Sequence, residues 1–141
     1  MKNILVGVDG SLEAGAAALH AAALAKAFGA RLTLAYVAPP HLSHAAEISA
    51  AELSGADVVE RSYVPALLFQ AEVDCRTAGV ATDTTSITGR PAEALAGLAE
   101  SGGYDLVVVG HRGRGAVQRV LLGSVADRLV QICPRPVLVV R

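Results

Sequence analysis

Leu106 to Val109 is an aliphatic run without a polar alternate, and Gly110 ends it, with Gly113 and Gly115 close behind. A strand with one wet face alternates apolar and polar side chains. An unbroken aliphatic run belongs instead to a strand covered on both faces, as in a parallel sheet between two layers of helices. Parallel strands cannot be joined by a hairpin, so the run also demands crossover helices elsewhere in the chain.

The rest of the sequence supplies them. Asn3 to Val8 reads as a first strand, stopped by Asp9-Gly10-Ser11, which doubles as a helix start. Glu13 to Phe28 is an alanine-dominated helix with Leu19, Ala23 and Ala27 along one face and Gly29 as its stop. Arg31 to Val37 is the second strand and completes a right-handed βαβ crossover before Pro39-Pro40. Residues 39–57 are expected to be a mobile loop that grades into helix. Asp57 to Ala78 has helical spacing at Val59, Tyr63, Leu67 and Val73, with Pro65 kinking or starting the helix and Gly79 closing it. A β-branched strand over Ala81 to Thr88 follows, then Gly89-Arg90-Pro91 and a helix from Ala92 to about Glu100. After the aliphatic run come a helix over Val125 to Ile132 and a fifth strand, Val137 to Val140. Strands alternating with helices, without an internal repeat or a linker, predict one domain over residues 1–141: an α/β, doubly wound, five-stranded parallel sheet with helices on both faces. The pattern leaves strand order open.

Glycines grouped at the end of a buried strand let the backbone turn sharply and approach a ligand with no Cβ in between, and an anion is the natural guest. The N-terminus of the following helix offers converging N–H groups and a favourable dipole. Ser124 is placed either to cap that helix or to bond a phosphate oxygen. Gly113 and Gly123 are expected to be glycine for space or for φ > 0 conformations. The spacing excludes a Walker loop, because the lysines are Lys2 and Lys26, both remote from the glycines. It also excludes a dinucleotide fingerprint after the first strand, where GVDGSL lacks a third glycine.

Charge favours the same region. The net charge is −1, with no lysine cluster or aromatic platform, which argues against nucleic acid as a partner. Residues 1–103 hold six basic and eleven acidic side chains, whereas 104–141 hold six basic and two acidic. Arg112, Arg114 and Arg119 are therefore candidates to neutralise phosphate. Alanine carries much of the hydrophobic fraction of 52%, no run approaches the roughly eighteen apolar residues of a membrane span, and the N-terminal segment lacks a cleavage site, so a cytoplasmic protein is expected. Cys75 and Cys133 lack metal spacing and read as buried or inert thiols. No metal site is expected among the histidines; His111 alone falls beside the glycines.

The spacing Gly110-x2-Gly113-x9-Gly123-Ser124 resembles the nucleotide-binding signature of the ATP-binding branch of the universal stress protein family. The likeness covers essentially the whole chain: ILVGVDGS at the start, Val37 ending the second strand, Gly89-Arg90-Pro91, the glycine signature and the closing PVLVVR. It implies strand order 3-2-1-4-5, in which Asp9 and Gly110 follow neighbouring strands at the point where the order reverses. It implies that Asp9 contacts the ribose, that the backbone at Val37 meets the adenine edge, and that Gly110, Gly113, Gly123, Ser124 and Val125 take the loop and phosphate contacts. With the adjoining strand ends Gly7, Val8 and Val109, and with Arg112, these form the candidate nucleotide site. Asp9 is equally suited to cap the helix that follows it. Ala126 departs from relatives that carry a hydroxyl there, which opens a preference for AMP or ADP. Mg²⁺ or Mn²⁺ is expected with the phosphates. The short apolar strand Val137 to Val140 falls at a sheet edge in the implied order and predicts a homodimer, by antiparallel pairing with its copy.

These readings point to a nucleotide-binding regulatory protein of the stress response. The alternatives are a dimeric interaction module that has lost the nucleotide and a weak ATP hydrolase. Asp9, Ser124 and His111 offer no partner network for catalysis, so no catalytic residue is assigned. A phosphoacceptor receiver domain is rejected, because Asp9 stands alone and no lysine occurs late in the chain.

Overall fold

The structure, a computed structural model, describes residues 1–38, 40, 66, 68–113 and 121–141. The elements are β1 (Asn3–Gly7), α1 (Leu12–Phe28), β2 (Arg31–Ala38), a helix over residues 68–77 (α2), β3 (Thr82–Thr88), α3 (Pro91–Ser101), β4 (Leu106–Gly110), α4 (Ser124–Ile132) and β5 (Val137–Val140). The sheet is parallel throughout and runs β3-β2-β1-β4-β5, as the resemblance implies. The expectation for residues 39–57 lies, apart from Pro40, outside the described residues, as do Val59, Tyr63, Pro65 and Leu67.

Side-chain alternation shows why the strands need no polar alternates. Ile4, Val6, Leu32, Leu34 and Val108 pack with the alanines of α1 and with Leu68, Ala71 and Cys75 of α2. The intervening Leu5, Ala35, Val107 and Val109 pack on the other face with Leu95, Ala96 and Ala99 of α3 and Leu129 of α4. Both faces of the central strands are dry.

Helix α1 corrects two readings. Its buried face is Ala14, Ala17, Ala18, Ala21, Ala22 and Ala25, while Leu19, Ala23 and Ala27 face solvent. An almost uniformly apolar helix carries no stripe to read, and the sheet selects the face on which every side chain is small enough for close approach. Its N-cap is Ser11, not Asp9: Ser11 Oγ accepts the Ala14 N–H at 3.1 Å. The same loss of phase affects α2, where Val73 of the expected stripe is 38% exposed and Cys75 is fully buried. Burial pushes the Cys75 thiol up to about 11, so it is inert, as expected. Cys133 is half-buried.

A polar anchor joins two neighbouring inner strands. Asp105 accepts the N–H groups of Lys2 at 2.6 Å and Asn3 at 3.0 Å, which ties β1 to the start of β4 and holds its carboxyl below the usual range. The outer strand β3 leaves Asp83, Thr84 and Ser86 exposed, and Val137, Leu138 and Val139 of the opposite edge are half-buried. Among the described residues, no helix is long and apolar enough to cross a membrane.

Candidate functional site

The strand order reverses between β1 and β4, whose crossover helices leave to opposite faces and so open a crevice beyond the carboxyl ends of the strands. A cavity of about 520 Å³ lies there, within the range of small-molecule sites. Every residue of the sequence-derived set lines it: Gly7, Val8 and Asp9 from the end of β1, Val37 from β2, and Val109 and Gly110 from β4. Beyond β4 come Arg112 and Gly113, and from the start of α4 come Gly123, Ser124 and Val125. Arg114 and Arg119 lie outside the described residues.

The cavity has two unlike ends. At one, Val37, Pro91, Leu95 and Val109 form an apolar slot between β2, β4 and α3. Gly7 deepens it, since a Cβ there would stand 2.8 Å from Leu95 Cδ1 and 3.2 Å from Val109 Cγ1. At the other end the backbone dominates. Gly123, not Ser124, is the N-cap of α4, with extended φ −68° and ψ 154° and no side-chain cap bond. Asp127 N–H is the first to bond back, to Gly123 O at 2.9 Å. The N–H groups of Ser124, Val125 and Ala126 thus have no partner within the helix, and all three residues line the cavity. Ser124, an exposed residue at the first helical position, does not cap the helix, which corrects one of its two expected roles.

Close backbone approach explains the glycines. A Cβ on Gly110 would stand 2.8 to 2.9 Å from the Glu13 backbone and Cβ, so the end of β4 and the first turn of α1 are in contact. A Cβ on Gly113 would meet Asp9 Oδ2 at 2.5 Å, and one on Gly123 would meet Arg112 Cα and His111 O at 3.1 Å. None of these three glycines has positive φ, which removes that expected reason and leaves crowding by neighbouring atoms. Asp9 is held from behind: its Oδ1 accepts the Ser11 N–H at 2.9 Å and the Ser11 Oγ–H at 2.7 Å. The glycine segment is fastened as well, by His111 N–H to Val140 O at 2.7 Å and Gly123 N–H to His111 O at 2.6 Å.

Sequence reasoning missed Ala14, Ala35, Tyr36 and Leu95 as lining residues. Pro91 was legible only as a helix start and Ala126 only as a departure from the family pattern. Ala14, Ala35 and Leu95 look like core residues in the sequence, and only the topology brings them to the crevice. No group of three or more His, Cys, Asp or Glu side chains capable of holding a metal occurs among the described residues.

Comparison with known proteins places this architecture. A universal stress protein of Thermus aquaticus is 37% identical over 140 residues, covering 99% of this chain and 98% of that protein. Among solved structures, a universal stress protein in complex with cAMP superposes with a TM-score of 0.77 at 28% identity, over 99% of this chain and 97% of that one. The Archaeoglobus fulgidus universal stress protein in complex with dAMP, at 19% identity and a TM-score of 0.73 over 100% and 98% of the two chains, shares the fold. The family pattern matches from residue 1 to residue 141, and the chain belongs to the universal stress protein family.

Proposed function

We propose that this protein is an adenine-nucleotide-binding regulator of the stress response, acting in the cytoplasm as a single domain, with ATP as its favoured ligand. The observation that carries the reading is the pairing, in one 520 Å³ cavity, of an apolar slot with a helix N-terminus bared by glycine. The slot at Val37 and Leu95 suits a purine ring, the Asp9 carboxylate suits ribose hydroxyls, and the N–H groups of Ser124 to Ala126 suit phosphate. Mg²⁺ or Mn²⁺ fits as a companion of the phosphates rather than as a resident ion, since such ions often take only one or two protein oxygens. When bound it would neutralise phosphate charge that Arg112, the cation among the described lining residues, does not balance by itself.

A second reading is a monophosphate ligand. It is favoured by Ala126, whose buried methyl offers no hydroxyl to a longer phosphate chain, and by the cAMP complex of a relative. Calorimetric titration with ATP, ADP, AMP and cAMP, with Mg²⁺ present, decides between the two by rank of affinity. No binding of any of them at millimolar nucleotide overturns both. We also propose pairing of the half-buried edge strand Val137–Val140 with its copy; sedimentation showing only a 14.4 kDa species at micromolar protein would exclude it. ATP turnover is expected far below the roughly 1 per second of working enzymes, because the cavity lining holds no lysine to neutralise charge on a transferring phosphate.

A further inference from the structure

Arg112 donates its Nε–H to His111 Nε2 at 2.8 Å. A guanidinium can only donate, so Nε2 must carry a lone pair, and the proton of the neutral ring then sits on Nδ1. Nδ1 is buried and has no hydrogen-bond partner among the described residues. The ring thus leaves a buried N–H unmet while Nε2 accepts from the neighbouring arginine, a cost that a purely structural histidine would have no reason to bear. The backbone of His111 is clamped on both sides, by Val140 O and by Gly123 N–H, so the ring stands on a fixed base between β5 and α4.

From these contacts we propose that His111 is a positioning residue, which sets the plane of the Arg112 guanidinium at the phosphate end of the cavity. The inference rests on the nucleotide reading above. An arginine side chain has many rotamers, and a ligand that engages it must freeze them; anchoring Nε beforehand removes part of that cost and fixes the orientation needed for planar recognition of phosphate oxygens. His111 touches no ligand in this scheme. It acts on phosphorylated ligands only, and through Arg112 alone.

The test is a double-mutant cycle with AMP and adenosine as probes, read by calorimetry on the wild type, His111→Leu, Arg112→Ala, the double variant and His111→Gln. His111→Leu should weaken AMP by about fivefold, in line with the ordering cost of one long side chain. It should have no further effect in the Arg112→Ala background. His111→Gln, whose amide oxygen can accept where Nε2 does, should return AMP affinity to near wild type, and adenosine should bind all variants alike. Ring ¹⁵N shifts of ligand-free wild type should show the proton on Nδ1. An equal loss from His111→Leu with and without Arg112, or a proton on Nε2, overturns the proposal while leaving the nucleotide reading intact. If the wild type binds no adenine nucleotide, the reading fails first and the proposal falls with it.

Discussion

Gly29, at the C-terminus of α1, and Gly113, at the cavity, stand under opposite constraints. Gly29 has φ 63°, a left-handed conformation that caps the helix through its N–H to Ala25 O, yet nothing lies within 4 Å of where its Cβ would be. Gly113 has no such conformation, but a Cβ there would stand 2.5 Å from the Asp9 carboxylate. Gly123 shares the second condition, whereas Gly110, also without positive φ, is crowded by the first turn of α1. The first kind of glycine serves the chain's path and the second keeps a space. Counting glycines cannot separate them, and substitution can, because the first kind loses stability and the second loses the site.

The largest effect is expected for Gly123→Val. Its side chain would press on Arg112 and His111 and displace the loop from the N-terminus of α4, which removes several backbone contacts together. At about 1 kcal/mol per lost hydrogen bond, nucleotide affinity should fall about a hundredfold or more, with circular dichroism unchanged. Gly113→Val should follow closely, because Asp9 cannot swing away without releasing Ser11. Retained affinity in either variant would break the distinction between the two glycine classes. Arg112→Ala should cost less than Gly113→Val, a single partly screened charge being worth about 1 kcal/mol.

Gly110→Ala tests crowding against backbone. Contact with Glu13 should lower unfolding stability by about 1–3 kcal/mol, as overpacking does, read as a shift in the urea midpoint at constant slope. A neutral result would mean that α1 adjusts freely. Gly29→Ala should cost about 1–2 kcal/mol for the left-handed conformation and leave nucleotide affinity within about twofold. Smallest is Ser11→Ala, at about 1 kcal/mol for the lost cap. It sharpens the comparison, since Ser11 both starts α1 and braces Asp9: a small stability loss joined to a measurable loss of nucleotide affinity would show that the cap and the site are one structure.

The elements were largely legible because their signals are local. Proline and glycine mark ends wherever they fall, and aliphatic runs mark dry strands, so boundaries such as Arg31–Ala38 and Pro91–Ser101 differ from expectation by a residue. What failed was phase. Leu19, Ala23 and Ala27 share a face of α1 by spacing, but a helix apolar on all sides has no face of its own until a sheet is laid against it. Caps failed by one or two positions for a related reason: Asp9 and Ser11 are both capping types, as are Gly123 and Ser124, and which one caps depends on where the strand releases the chain.

By itself the sequence determined the parallel α/β class, the succession of strands and helices, and the residues that would meet if the first and fourth strands were neighbours. Those follow from hydrophobic period and from glycine and proline, which act within a few residues. Only the tertiary structure decided that the alanine face of α1 is the buried one. It alone showed that Leu95 and Ala35, while buried in the core, also line a cavity, and that the signature glycines are crowded by neighbouring atoms. The physical reason is that close packing between segments distant in the chain sets each of these, as when Gly110 meets Glu13 and Gly113 meets Asp9.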